Sequence, residues 1–441
     1  MQDYFYQLLN YIGTQVKNEE NYSAYFTGES SDFCRFNHSK VRQAGHVLQQ
    51  HLRLNLNKGK RHAYYQIALT GDMSSDSAML KDAISRLRQV IGDIAEDPYF
   101  VTTDTKSDLV EEREGSLPLL KQFIPELCHT FKDVDAVGIF TSGHIYRGFG
   151  NSKGQRNWFS SASFNLDWSV YHDADKAVKN NYAGCSWSDR EFKNKVQSDL
   201  SRLDRLERFS ERKISPGEYR VYLTPSALLE VFELLSWNAF GVKAQRTKSS
   251  ALNRLVDGKQ NLSPLVTFGE SLVSGTAPRF NEFGFIKPGA IPIVEKGRFC
   301  QPLVSPQSAA EYGIPSNGAA SGEAPESLVM QGGNLKSEDI YRNIDKGLFI
   351  SNLWYLNYSD LEAARMTGMT RFATFFVENG ELKEPVNVMR FDESLYRMLG
   401  TNLVDLNSQS ELLLSSSTYS QRSTDSFSLP GALIDDFRFT L

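Results

Sequence analysis

Residues 224–240 restrict the possible folds more than any other segment. Thr224 can cap a helix whose first position is Pro225, where the missing N–H costs nothing. Gly241 suits the far end. Between them Leu228, Leu229, Val231, Phe232, Leu234, Leu235, Trp237 and Phe240 make the helix apolar almost all round. Such a helix must be buried, so the rest of the chain has to supply layers that cover it. At 441 residues the chain also exceeds the ~250–300 that one core fills.

The flanks supply strands. Leu52, Leu54 and Leu56 alternate with polar residues. Asn57-Lys58-Gly59-Lys60 then offers turn chemistry, and Tyr65, Ile67 and Leu69 alternate again, which predicts a hairpin with one buried face. Residues 75–94 return to a helical period through Leu80, Ile84, Leu87 and Ile91. Residues 117–131 read as helix. Residues 135–140 and 144–149 read as two strands around Thr141-Ser142-Gly143, and Phe164, Leu166, Trp168 and Val170 as another strand. Residues 191–213 predict a long amphipathic helix with the stripe Phe192, Val196, Leu200, Leu203, Leu206 and Phe209, and an Asp204–Arg208 pair on its wet side. Strands are expected at 218–223, 347–353 and 371–378, with an Asn379-Gly380 turn and a weak strand at 432–441. The Ser-, Ala-, Gly- and Pro-rich residues 305–334 read as a long loop.

The expected fold class is therefore α+β: an N-terminal α/β part on antiparallel sheet, then a mostly antiparallel C-terminal β domain with a buried helix. The expected domains are 1–112, 113–216 and 217–441.

Charge and cysteine usage exclude several functions. The net charge is −5, with 48 basic and 53 acidic residues well mixed, so no nucleic-acid footprint is expected. The densest basic run, Lys58, Lys60, Arg61 and His62, falls in the hairpin turn. Cys34, Cys128, Cys185 and Cys300 lie far apart without a Cys-x-x-Cys pair, which fits a reducing cytoplasm. No run reaches the ~18 apolar residues of a membrane span, and the start up to Val16 lacks a basic lead-in.

Isolated candidate sites have plain structural readings. His46 and His51 fall on opposite faces of a strand and cannot share a metal. Cys34 and His38 have ligand-like spacing but no partner pair. Glu230 and Glu233 share one turn of the apolar helix, where carboxylates need partners; a salt bridge to Arg246 is the expected account, an acid–base pair the minor one. Cys300 reads as a buried structural thiol rather than a nucleophile. Residues 148–154, with Gly148, Gly150 and Gly154, read as a hairpin turn, because a strand follows where a phosphate loop requires a helix. Trp354, Tyr355, Tyr358, Phe372, Phe375 and Phe376 read as core or subunit-interface aromatics.

The last third carries a resemblance. Gly347-Leu348-Phe349-Ile350, the segment Thr367-Gly368-Met369-Thr370, and Val377-Glu378-Asn379-Gly380-Glu381 followed by Pro385-Val386 resemble the C-terminal domain of the TldD/PmbA family. Upstream, Arg35-Phe36-Asn37-His38-Ser39 with Val41 and Gln43, and the Asn151-Ser152-Lys153-Gly154 turn, are similar to the family's N-terminal segments. Leu429-Pro430-Gly431-Ala432-Leu433-Ile434 is similar to the closing strand of its PmbA-type members. The resemblance implies a cytoplasmic zinc peptidase of two homologous chains. The TldD type bears His-Glu-x-x-x-His on a buried helix and a late Cys. The TldE/PmbA type lacks them and completes the chamber. Family members are associated with unstructured peptides and peptide maturation, and are also described as gyrase modulators.

Carried over residue by residue, the motif's first His falls eight positions after Pro225, so its His, Glu and His positions hold Glu233, Leu234 and Asn238. No His-Glu pair occurs anywhere, and no Cys follows Cys300. The resemblance thus implies no catalytic residue, cofactor or metal in this chain, with zinc in a TldD-type partner and a peptide as substrate. Peptide contacts are expected near residues 365–369 and 305–334. The alternative is a stand-alone homodimer that binds peptide or protein without cleaving. A hydrolase using Cys300 or a carboxylate pair is the remaining reading.

Overall fold

The computed structural model describes residues 1–173, 176–273, 275–416 and 420–440. Its first part runs α1 (Gln2–Gln15), β1 (Asn21–Asn37), β2 (Lys40–Lys58), β3 (Arg61–Ala68), α2 (Met73–Ile91), β4 (Val110–Arg113), α3 (Leu120–Thr130), β5 (Asp135–Asn151), β6 (Arg156–Asp173), β7 (Lys176–Gly184) and α4 (Asp189–Arg208). The second part runs β8 (Gly217–Leu223), α5 (Pro225–Ser236), α6 (Val242–Arg246), α7 (Asn253–Val256), β9 (Phe268–Ser271), β10 (Ala290–Glu295), β11 (Arg298–Phe299), α8 (Pro306–Tyr312), β12 (Ser327–Met330), α9 (Ile340–Ile344), β13 (Lys346–Asp360), β14 (Arg365–Glu378), β15 (Glu381–Pro385), β16 (Arg390–Ser394), β17 (Leu403–Leu414) and β18 (Ser426–Phe439). The fold is α+β, as expected.

The first sheet has the order β3-β2-β1-β5-β6-β4, with β7 also on β6. Its pairings are antiparallel except β4 with β6. β1 and β5 pair from Ser23↔Asn151 to Phe36↔Gly138, so one sheet runs across the boundary drawn at 112/113. The same pairing makes residues 135–151 a single strand, correcting the two expected around Thr141-Ser142-Gly143. Gly143 sits where a Cβ would meet the Ser30 carbonyl oxygen at 2.2 Å, so its role is close strand approach rather than a turn.

One face of this sheet carries the helices. Ala24, Phe26, Leu52, Leu54 and Leu56 pack under α1 and α2. Phe36, Phe140, Phe164, Leu166, Trp168 and Val170 pack under α3 and α4. Cap chemistry starts two of these helices: Asp72 accepts from the Ser75 N–H at 2.8 Å and Ser188 from the Glu191 N–H at 3.3 Å. On α4 the stripe Phe192, Val196, Leu203 and Leu206 is buried, and Asp204 pairs with Arg208 at 2.7 Å. The helix ends at Arg208, which leaves Phe209 exposed, against the expectation. Tyr65 is exposed too, although Ile67 of β3 is buried in the α2 core and Ala63 packs against it.

The second sheet has the order β11-β10-β9-β12-β18-β16-β14-β13-β8, with β15 on β14 and β17 on β18. β8 also pairs with β18, so β8, β13, β14, β16 and β18 close a ring of pairings. Strand alternation divides the interior. Val221, Leu223, Leu348, Ile350, Ala432 and Ile434 join the α5 core. Their neighbours Tyr222, Phe349 and Leu433 join the α4 core instead. These strands are buried on both sides, which is why they read as unbroken apolar runs.

Three expectations in this part are corrected. Residues 305–334 contain α8, capped by Ser305, and β12, rather than one long loop. α5 stops at Ser236, so Trp237 points outward, 67% exposed, and Gly241 begins α6 instead of ending α5. β13 and β14 extend past the segments foreseen. The Asn379-Gly380 turn joins Glu378 to Glu381, with φ +55° and +71°. The tail strand begins at Ser426; Leu441 lies outside the described residues. Among the described residues no helix is long and apolar enough to cross a membrane.

Candidate functional site

The buried helix places its few polar groups at a cleft between the two sheets. Thr224 caps α5 by accepting from the Ala227 N–H at 3.3 Å, while its hydroxyl donates to the Ser351 carbonyl at 2.6 Å, which ties the helix start to β13. Ala227, Leu228, Val231, Phe232, Leu234 and Leu235 are buried. Glu230 and Glu233 emerge on the remaining side and line a recess with Asp167, Lys179, Asn180 and Asn352.

Burial in this recess raises the proton affinity of its carboxylates. Glu230 is pushed up to about 7 by burial first and the Glu233 charge second, with Lys179 opposing. Burial also raises Glu233 and Asp167 against the pull of Lys179, whose ammonium lies 3.8 Å from Asp167. Arg246, the expected partner, forms no ion pair with either glutamate among the described residues; Lys179 of β7 is the cation at hand.

These shifts have a signed consequence for stability. Between pH 4.5, the ordinary glutamate value, and about 7, the folded chain holds a proton on Glu230 that the unfolded chain has lost. Stability from this group therefore falls as pH rises through that window. Glu230→Gln is expected to stabilise the protein near pH 8 by on the order of 1–3 kcal/mol and to flatten that decline. Chemical denaturation across pH would test this, and an unchanged slope in the variant would count against it.

The motif positions Glu233, Leu234 and Asn238 do not converge. Glu233 faces the cleft, whereas Leu234 is buried in the α5 core. Asn238 lies beyond the last helical residue and donates to the Ser249 carbonyl at 2.8 Å. A catalytic zinc takes about three N, S or O ligands and keeps one position open. The groups at this helix are carboxylates beside an ammonium, and among the described residues no three His, Cys, Asp or Glu side chains gather to hold a metal ion. This donor set does not fit a zinc.

The other candidates are separated by the fold. His46 pairs with Asp32 at 2.9 Å, while His51 sits opposite Thr27 on the other face of β2. Cys34 is buried and pushed up to about 11 by burial, whereas His38 is exposed against Asp135 at 2.8 Å. Cys300 is exposed, correcting the buried reading, and its thiol is raised by desolvation and Glu295, opposite to what a nucleophile needs. Residues 151–155 form a turn in which the Asn151 side-chain oxygen accepts from the Lys153 and Gln155 N–H groups. Gly148 and Gly150 have a separate role. A Cβ on them would lie 2.7 Å from Phe5 and 2.3 Å from Leu9, so they let α1 lie directly on β5. Phe375 and Phe376 are buried, but Trp354 and Tyr355 are exposed, with Arg371 over the Trp354 ring at 4.2 Å.

Residues 365–369 lie in β14 and pair with both β13 and β16, so no free edge for a peptide exists there. Strands β7 and β17 line the cleft instead. Among the described residues β7 pairs only with β6, and β17 only with β18 apart from a bridge between Leu335 and Asn407. Beyond the recess the cleft widens into a cavity of about 650 Å3 lined from both edges. The sequence does not mark out the cavity's cations, Lys179, Lys195 and Arg202. The spacing of Lys195 and Arg202, beside Val196 and Leu203 of the α4 stripe, was the available signal.

Comparison with known proteins follows this architecture. Residues 216–441 match the family model described as the PmbA/TldA metallopeptidase C-terminal domain. No curated protein matches the sequence. The structure of TldE from Thermococcus kodakarensis is 14% identical, with a TM-score of 0.78, covering 99% of this chain and 100% of that one. A protein from Thermotoga maritima named as a candidate modulator of a DNA gyrase is 14% identical, with a TM-score of 0.77 and the same coverage. A similarly named protein from Bacteroides thetaiotaomicron is 16% identical, with a TM-score of 0.74, covering 99% of this chain and 98% of that one. At these identities the likeness is one of fold, across the whole chain.

Proposed function

The chain belongs to the PmbA/TldD metallopeptidase family, and from that premise we propose that it is the partner subunit without catalytic zinc in a two-chain peptidase. The observation that carries the proposal is the donor set of α5. At the helix where the resemblance puts two imidazoles and a carboxylate, this chain has Glu233, Leu234 and Asn238. Leu234 turns into the core and Asn238 is held by the Ser249 carbonyl. The likeness in fold to TldE agrees with that reading.

In this role the chain binds and orients rather than cuts. An extended peptide adds to a sheet edge through main-chain hydrogen bonds, which admits many sequences. The edges of β7 and β17 offer such a place along the cleft. The partner is a TldD-type chain bearing His-Glu-x-x-x-His, which supplies the zinc, and the setting is the cytoplasm.

Capture of the tagged full chain from its native cell, followed by metal analysis, tests the proposal. The expected outcome is a complex with a His-Glu-x-x-x-His chain, about one zinc per complex, and none in this chain purified alone. Stoichiometric zinc and peptide cleavage by the isolated chain would sink it. A lone homodimer that captures no zinc-bearing homologue would favour a binding protein instead.

A further inference from the structure

The cavity of about 650 Å3 is charged in a way the chain as a whole is not. Net charge is −5 overall. The cavity, however, is lined by Lys179, Lys195 and Arg202 against one acid, Glu411. Lys195 lies 2.7 Å from Glu411 and Lys179 lies 3.8 Å from Asp167, which offsets two of the cations. Arg202 is less fully matched. Asp199 lies 3.5 Å from it but also accepts from Trp168 at 3.1 Å and Asn180 at 2.9 Å. The Arg202 Nε is buried without an acceptor, and its guanidinium stands 4.8 Å from the Phe349 ring centroid. A planar guanidinium held against a ring, with its Nε–H unspent, matches a planar anion.

The cavity also joins the acidic recess of Glu230 and Glu233 through Lys179, Asn180 and Ser226, which line both. One cleft therefore has a cationic end and an acidic end, with the outer edge of β7 along it. Glu411 beside the cations disfavours a dianion such as phosphate and tolerates a singly charged group.

We propose that Arg202 and Lys195 bind a carboxylate of an extended peptide lying in this cleft between β7 and β17. The inference rests on reading the chain as a peptide-handling subunit, but it concerns this chain alone and needs no zinc.

The test is calorimetric titration of the purified full chain with N-acetylated penta-alanine, as the free acid and as the C-terminal amide. The acid is expected to bind about tenfold tighter. Arg202→Met is expected to abolish the preference, with Lys195→Met as a second variant should the first fail to fold. Arg208→Met, outside the cavity, is expected to keep it. An amidated peptide with one internal glutamate that matches the free acid supports the site and assigns the carboxylate to a side chain. Equal binding of acid and amide overturns the proposal. So does no binding, a preference that survives both cavity variants, or displacement of the peptide by equimolar inorganic phosphate. Loss of the preference leaves capture of a zinc-bearing homologue unaffected, and a failed capture leaves the preference measurable.

Discussion

Lys287→Met is expected to destabilise the folded chain by about 3–5 kcal/mol, with the larger loss at higher pH. The Lys287 ammonium is fully buried, 3.3 Å from a Glu270 carboxylate that is itself buried, and it also pairs with Glu326. Burial raises Glu270, and Lys287 is what opposes that rise. Without the ammonium, Glu270 keeps the Glu326 N–H at 3.4 Å as a partner and faces Asp425 as a like charge. The carboxyl then has to take up a proton to stay buried, which costs more as pH rises. The pair matters beyond its own site. Lys287 ends the segment that carries Phe280 into a cluster with Phe149 and Phe159 of the first sheet, so it steadies the contact between the sheets. Urea unfolding should show the loss as a lower midpoint at unchanged slope. Glu270→Gln on top of Lys287→Met should recover part of it, because the stranded charge is removed. A single variant within about 1 kcal/mol of the parent would show that the pair contributes little.

The sequence revealed what local chemistry decides and hid what distant partners decide. The start of α5 was legible because Thr224 and Pro225 act within one turn. Its end was not, because a remote side chain takes part there: the Tyr358 hydroxyl donates to the Leu234 carbonyl at 3.3 Å, beside the local bond from the Ser236 hydroxyl to the Phe232 carbonyl at 2.8 Å. Residues 141–143 carry turn chemistry, yet the long pairing of β1 with β5 keeps them extended. The same holds at the site. Glu230 and Glu233 stand out as acids on an apolar helix. Their neighbour Lys179 comes from a strand of the other sheet, and no spacing rule connects the two. Residues 305–334 depart from their composition for a different reason. Composition suggested a loop, although Ser305 followed by Pro306 is the same start signal that Thr224 and Pro225 give.

Phe232→Ala is expected to cost about 3–5 kcal/mol, and Phe232→Leu less than about 1.5 kcal/mol. Phe232 is fully buried, with its ring edge-on to Phe268 at 5.3 Å and 86°. It therefore joins α5 to β9 within the core that both sides of the second part share. Truncation leaves a cavity that Val231, Leu235 and the strands cannot close without moving the helix. That movement would have a second signature, because Glu230 rides on the same helix. Its carboxyl stands near 7 only while α5 is held into the recess beside Glu233. A helix that settles toward the cavity gives Glu230 more water, and its titration is expected to move down toward the ordinary 4.5. Carbon-detected NMR titration of Glu230 in the alanine variant measures this directly. A large stability loss with Glu230 still titrating near 7 would mean that the core collapses around a fixed helix. The cleft would then be set by the cap at Thr224 and its bond to Ser351 rather than by the packing of Phe232.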